Sequence, residues 1–248
     1  MNPVPLSEVG TVLILEADQL CADALQQAAT GVFPGATFRI ANRVSSAMTM
    51  IGTGSIDLLL SGVYLSDGDT LELLAACLSQ HQIGRILVVT RDHEQWVLQL
   101  LRNLAVSGVF DMVNEGLDQF RHALRTVAAG CTYWSSAILE RLRQYRQSPN
   151  AHWRLLTPAE QLVLSVIGDG SDDQAAAVRL EMKPSTVQSV RRALHRKLGI
   201  QHKGGLVQLA VQSGFVRFGP EGITRPGLSV LRAACRAHPS RRGGGAAN

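Results

Sequence analysis

Between Lys183 and Ile200 the sequence reads KPSTVQSVRRALHRKLGI. Its polar residues are groups that can pair with nucleic acid. Ser185, Thr186 and Ser189 carry short hydroxyls, Gln188 an amide, and Arg191, Arg192, Arg196 and Lys197 cationic heads. An Arg fork matches the two acceptors of guanine, and a Gln amide matches adenine. Hydroxyls and amides at a helix start, with cations further along, suit phosphate oxygens. The apolar residues Val187, Val190, Leu194 and Leu198 recur at steps of three and four. That period predicts one buried helical stripe. Gln188, Ser189 and Arg192 then share an outward face. A small helical bundle with a salt-bridged surface is the plainer reading of the same stretch.

No other set of residues promises catalysis. No Ser/His/Asp, Cys/His or metal-ligand group converges on one loop. His195 and His202 flank Gly199 at a gap that is poor for metal binding. The expectation is therefore a chain that is not an enzyme, with no catalytic residue, no metal and no cofactor.

The elements that must position these residues follow from the hydropathy pattern. Apolar runs at 11–17, 36–42, 56–63, 85–90 and 107–113 read as strands, each followed by a helix-like segment. Runs nearly continuous in Leu, Ile and Val are buried on both faces of a sheet. Their alternation with helices predicts an α/β doubly wound, parallel, five-stranded sheet of the flavodoxin-like kind, with sites at the C-terminal strand ends. This domain is expected over 1–130. A linker helix follows over 131–153, with Leu139 and Leu142 as apolar contacts, broken by Pro149.

From Leu155 the character changes to all-helical. In LTPAEQ, Thr157 is set as N-cap, Pro158 at the first helical position and Glu160 at the third. Two short helices joined by EMKP have the spacing of a helix-turn-helix. This small all-α domain is expected over 154–218, and a basic, flexible tail over 219–248.

Composition agrees with two domains and divides them. The chain has 248 residues, 46% hydrophobic and 18% charged. Residues 1–150 carry 10 Arg and no Lys against 14 acids, while residues 151–248 carry 14 basic residues against 6 acids. The basic second half points to a polyanionic partner. No apolar run is long enough for a membrane span, and the N-terminal residues lack a secretory pattern. Cys21, Cys77, Cys131 and Cys235 are scattered, as expected of reduced thiols in a cytoplasmic protein.

Leu156, Thr157, Glu160, Val163, Leu164, Gly170, Thr186, Val187, Lys197, Leu198 and Gly199 together form a pattern. On it, residues 155–216 resemble the DNA-binding domain of LuxR/NarL-type transcription factors. The departures are Gln188 where that family often has Lys, Val190 where it often has His, Glu181 at the turn Gly and Ala176 at an aliphatic position.

Residues 11–130 resemble the receiver domain that often precedes such a domain. The resemblance implies an acidic pair after the first strand to hold Mg²⁺ and an acceptor Asp ending the third strand. It also implies a Thr or Ser ending the fourth and a Lys ending the fifth. Here those positions fall on Glu16 and Ala17, on Gly62, on Thr90 and on Glu115, and no lysine occurs before Lys183. Asp67 and Asp69 are better read as turn and cap residues than as substitute acceptors. A cation held by Glu16 and Asp18 would be structural.

The expectation is a bacterial DNA-binding regulator that acts as a homodimer on double-stranded DNA without phosphorylation. RNA polymerase, a regulatory protein or a small ligand are further partners to consider. The alternatives are a phosphorylation-driven regulator with an unorthodox acceptor, and an interaction protein that antagonises an intact regulator.

Overall fold

The computed structural model describes residues 9–147, 155–219 and 222–237. The chain divides into two units, Met1–Pro149 and Asn150–Asn248. The linker residues 148–154 and the end of the basic tail, 238–248, lie outside the described residues.

The first unit is built on β1 (Thr11–Leu15), α1 (Gln19–Thr30), β2 (Thr37–Ala41), α2 (Val44–Gly52) and β3 (Ile56–Ser61). A short antiparallel pair follows, β4 (Tyr64–Leu65) with β5 (Gly68–Asp69), then α3 (Thr70–Ser79). The unit continues with β6 (Ile83–Thr90), α4 (Gln95–Asn103), β7 (Gly108–Asp111), α5 (Leu117–Ala128), β8 (Tyr133–Trp134) and α6 (Ser136–Gln147).

The main sheet runs β2-β1-β3-β6-β7-β8, and all its pairs are parallel. Strand alternation divides its core. Val12, Ile14, Leu58, Leu60, Leu87 and Val89 face a cluster supplied by α1 and α5, including Leu25, Phe120, Leu124 and Val127. Leu13, Leu15, Leu59, Ile86 and Val88 are equally buried in the alternate positions.

The doubly wound parallel sheet is present, but it has six strands rather than the five read from the sequence. Residues 131–147, set apart above as a linker helix, form β8 and α6 within the first unit. Gly108 explains the extra strand. A Cβ there would stand 2.7 Å from the Tyr133 carbonyl oxygen, so only glycine lets the short edge strand lie alongside β7. On α6 the buried contacts are Ile138 and Leu142, while Leu139 is 48% exposed.

The second unit has α7 (Pro158–Ile167), α8 (Asp173–Leu180), α9 (Pro184–Leu198) and α10 (Lys203–Gln212). It continues into an antiparallel hairpin of β9 (Arg217–Gly219) and β10 (Gly222–Thr224), then α11 (Leu228–Ala237). The expected helices of this unit are present, the hairpin begins at their end, and the flexible-tail expectation is corrected for residues 222–237. Leu231 is 3% exposed, α11 packs on α7, and the buried Arg225 guanidinium pairs with the Asp169 carboxylate. The Arg232 guanidinium donates to the Arg179 carbonyl. Among the described residues no helix is long and apolar enough to cross a membrane.

Candidate nucleic-acid interface

Four local devices fix the helix that carries the polar stretch and the helix before it. Asp172 caps α8 by accepting from the Ala175 N–H at 2.7 Å. Glu181 then takes the left-handed conformation, φ 56° and ψ 39°, and turns the chain. Pro184 opens α9 at its first turn, and Gly199 closes it with φ 65°.

Val187, Leu194 and Leu198 are buried, and Val190 is half-buried. Ser185, Thr186, Gln188, Ser189, Arg192 and Arg196 are exposed. The result is one outward ridge of hydroxyl, amide and guanidinium groups of a size that a major groove admits.

Two of the singled-out cations are also engaged within the unit. The Arg191 Nε donates to Asp173 Oδ1 at 2.6 Å, and its Nη2 donates to the Ser171 carbonyl at 3.0 Å. Its side chain is only 12% exposed, so Arg191 clamps α9 to the start of α8. The Lys197 ammonium donates to Glu160 Oε2 at 2.8 Å and to the Leu155 carbonyl at 3.1 Å. Glu160 also completes the capping box with Thr157. Burial works to raise the pKa of Glu160, but hydrogen bonds from Lys197 and Thr157 and the Lys197 charge outweigh it and hold the carboxyl below its usual range. The residue types and helical period show which residues are polar; neither shows which of them an acid of a neighbouring helix engages.

At the strand ends of the first unit, Gly62 leaves room for a carboxylate. A Cβ on Gly62 would stand 3.1 Å from Glu16 Oε2. Glu16 is 8% exposed, and its Oε1 accepts from the Asp18 N–H at 3.1 Å. Asp18 is in turn the N-cap of α1, accepting from Cys21 N at 2.8 Å. Ala17 is exposed and offers no ligand. The Thr90 hydroxyl is engaged with the Asp92 backbone at 3.0 Å.

Asp67 accepts from the Val44 and Ser45 amides and from the Ser45 hydroxyl, and so caps α2 from a distance. Slight burial works to raise its pKa, but those hydrogen bonds outweigh it and the carboxyl lies below its ordinary value. Asp69 caps α3 through Leu71 N at 2.9 Å.

Glu115 does not stand at the end of the fifth strand of the sequence reading. Its Oε2 accepts from the Tyr133 hydroxyl at 2.8 Å and from the Ser135 hydroxyl at 2.6 Å, which ties it to the edge strand. The strand ends at Asp111, which is fully buried and in register with Thr90. Asp111 accepts from the Asn114 amide at 2.7 Å and from Val113 N at 2.9 Å, and its Oδ2 lies 3.1 Å from His93 Nε2. Burial works against the charge of Asp111, but these donors and His93 prevail and lower its pKa. Sequence reading missed this group. Its only signal was an Asp followed three residues later by Asn, within an otherwise apolar strand. Among the described residues no group of three or more His, Cys, Asp or Glu side chains could hold a metal ion.

No family model matches the chain. Among curated relatives, the transcriptional regulatory protein MctR of Rhizobium johnstonii is 28% identical over 61% of this chain and 68% of its own length. The oxygen regulatory protein NreC of Staphylococcus carnosus is 27% identical over 54% of this chain and 65% of its own. The chain thus spans about two thirds of these relatives. Among solved structures, two RcsB dimers bound to two parallel DNAs provide a chain that aligns with a TM-score of 0.56 at 15% identity. That alignment covers 82% of this chain and 98% of that one, and the likeness speaks for the fold.

Proposed function

We propose that this chain, a regulator of the LuxR/NarL response-regulator type, binds double-stranded DNA as a homodimer, with α9 in the major groove and without phosphorylation of its first unit. The observation that carries the reading is the outward ridge of Gln188, Ser189 and Arg192 on a helix whose opposite side is buried. Arg192 and Gln188 read bases, while Ser185, Thr186 and Arg196 contact phosphates. Support comes from the relatives named as transcriptional regulators and from the RcsB dimers on DNA.

One helix covers one half-site, so a long operator needs two copies. The apolar residues Trp96, Val97, Leu98, Leu100 and Leu101 of α4 are all buried within the unit, and the helix packs on α6. Dimer contacts are assigned to the face of residues 94–129, where Leu117 of α5 is 50% exposed, and to α10, where Val211 is 38% exposed. The four cysteines are free thiols, which suits work in the reducing cytoplasm.

Independence from phosphorylation is supported by Gly62 at the acceptor position and by the capping duties of Asp67 and Asp69. Selection of bound sequences from a random pool, followed by titration of the selected duplex with wild-type and Arg192→Ala protein, tests the DNA reading. Unchanged affinity in the variant would remove α9 as the reading helix. A shifted Phos-tag band after acetyl-phosphate treatment would remove the phosphorylation-independent part.

A further inference from the structure

A groove on the first unit opens between the end of α4, the β8 edge and α6, with a volume of about 450 Å³. That lies within the range of small-ligand sites. Its floor is apolar, with Val106 and Leu142 nearly buried. Trp134, half-buried, and Leu139, 48% exposed, also line it. The charged residues that line it are Arg102, Arg143 and Arg146, and no acid is among them. The Arg143 guanidinium rests on Glu140 of its own helix at 2.8 Å, with both side chains well exposed. A pair of that kind is weak and leaves Arg143 able to turn toward a ligand.

Ala105, in the turn that follows α4, also lines the groove, with φ 54°.

We propose that this groove binds a small organic anion, a carboxylate or sulfonate carried on a flat apolar body. The body lies against Trp134 and Leu139, and the anionic group meets the Arg102 and Arg143 guanidiniums, which pair bidentately with such oxyanions. Aromatic stacking on an indole and cation–anion pairing at the rim together select an amphipathic ion over a neutral ring or a free inorganic anion. Its meaning as an input signal rests on the reading that this unit receives no phosphoryl group. The binding itself is measured without DNA or phosphate, so either claim can fail alone.

The full chain is titrated with anilinonaphthalene sulfonate and, in parallel, with phenylnaphthylamine, which has the same rings and no charge. The expected result is saturable binding of the sulfonate, with the neutral amine weaker by about tenfold or more, the worth of one charge-assisted contact. Arg102→Gln with Arg143→Gln lowers sulfonate affinity by a similar factor. Leu139→Glu, which sets a carboxylate in the groove, lowers it too. All three positions are exposed, and unchanged melting temperatures confirm that the variants fold. Arg192→Gln in the basic second unit leaves the affinity as it was. Equal binding of the neutral amine, unaltered affinity in the groove variants, or an equal loss in Arg192→Gln overturns the proposal.

Discussion

Arg191, midway along α9, and Asp173, the first residue of α8, lie 2.6 Å apart. Arg192, the next residue, faces solvent. Neighbours in sequence thus serve different ends, one holding the two helices together and the other free to meet a ligand. Arg191→Ala is expected to destabilise the second unit by about 1–3 kcal/mol, because it strands the Asp173 carboxylate and the Ser171 carbonyl. Arg192→Ala should leave stability within about 0.5 kcal/mol, yet cost about 1–3 kcal/mol of DNA affinity with relaxed base preference. Thermal melts and binding titrations on the two variants separate these outcomes.

The Glu160 carboxyl, held below its ordinary pKa by Lys197 and Thr157, links folding to acid. A depressed folded pKa contributes stability that is complete above the ordinary carboxylate range and is lost as pH falls through the folded value. Glu160→Gln should therefore melt earlier than wild type at neutral pH. The gap should close as the solution is acidified below that range. A gap that widened in acid would contradict the role given to this pair. Lys197→Ala should show the same neutral-pH loss, so its effect on DNA binding must be read at a temperature where the variant is folded.

Gly62→Asp would restore an acid at the strand end, but it would set that acid against Glu16, whose Oε2 lies 3.1 Å from the built Cβ. Gly62→Ala is expected to cost about 1 kcal/mol through crowding, and Gly62→Asp more through like-charge repulsion. The added Glu16→Gln change should recover the difference. Without a lysine in the unit to neutralise developing phosphoryl charge, acetyl phosphate should still leave no modified band in the Asp variant.

Glu181 turns the helix-turn-helix at φ 56°, where a side chain is disfavoured and glycine is not. Glu181→Gly is expected to stabilise the second unit by about 1 kcal/mol, measured as a raised denaturation midpoint with unchanged slope.

Periodicity and caps made the α9 helix and the sheet core legible. Val187, Leu194 and Leu198 are buried as their spacing implies, and the Thr157–Glu160 capping box is present. What the pattern could not give was pairing at a distance. Arg191 and Lys197 look unpaired in one dimension, because the acids that engage them lie 18 and 37 residues away. β8 is too short to carry a period, and only the Gly108 backbone shows why it can join the sheet. The Gly- and Arg-rich composition after Phe218 masked α11, whose tertiary contact with α7 outweighs weak local signals.

The seating of α11 on α7 has a practical side for anyone who isolates the C-terminal half. A fragment trimmed at Phe218 would bare one flank of α7 to water and leave the Asp169 carboxylate without the Arg225 guanidinium. Such a piece would tend toward self-association, and its weak DNA affinity would be mistaken for a property of the whole regulator.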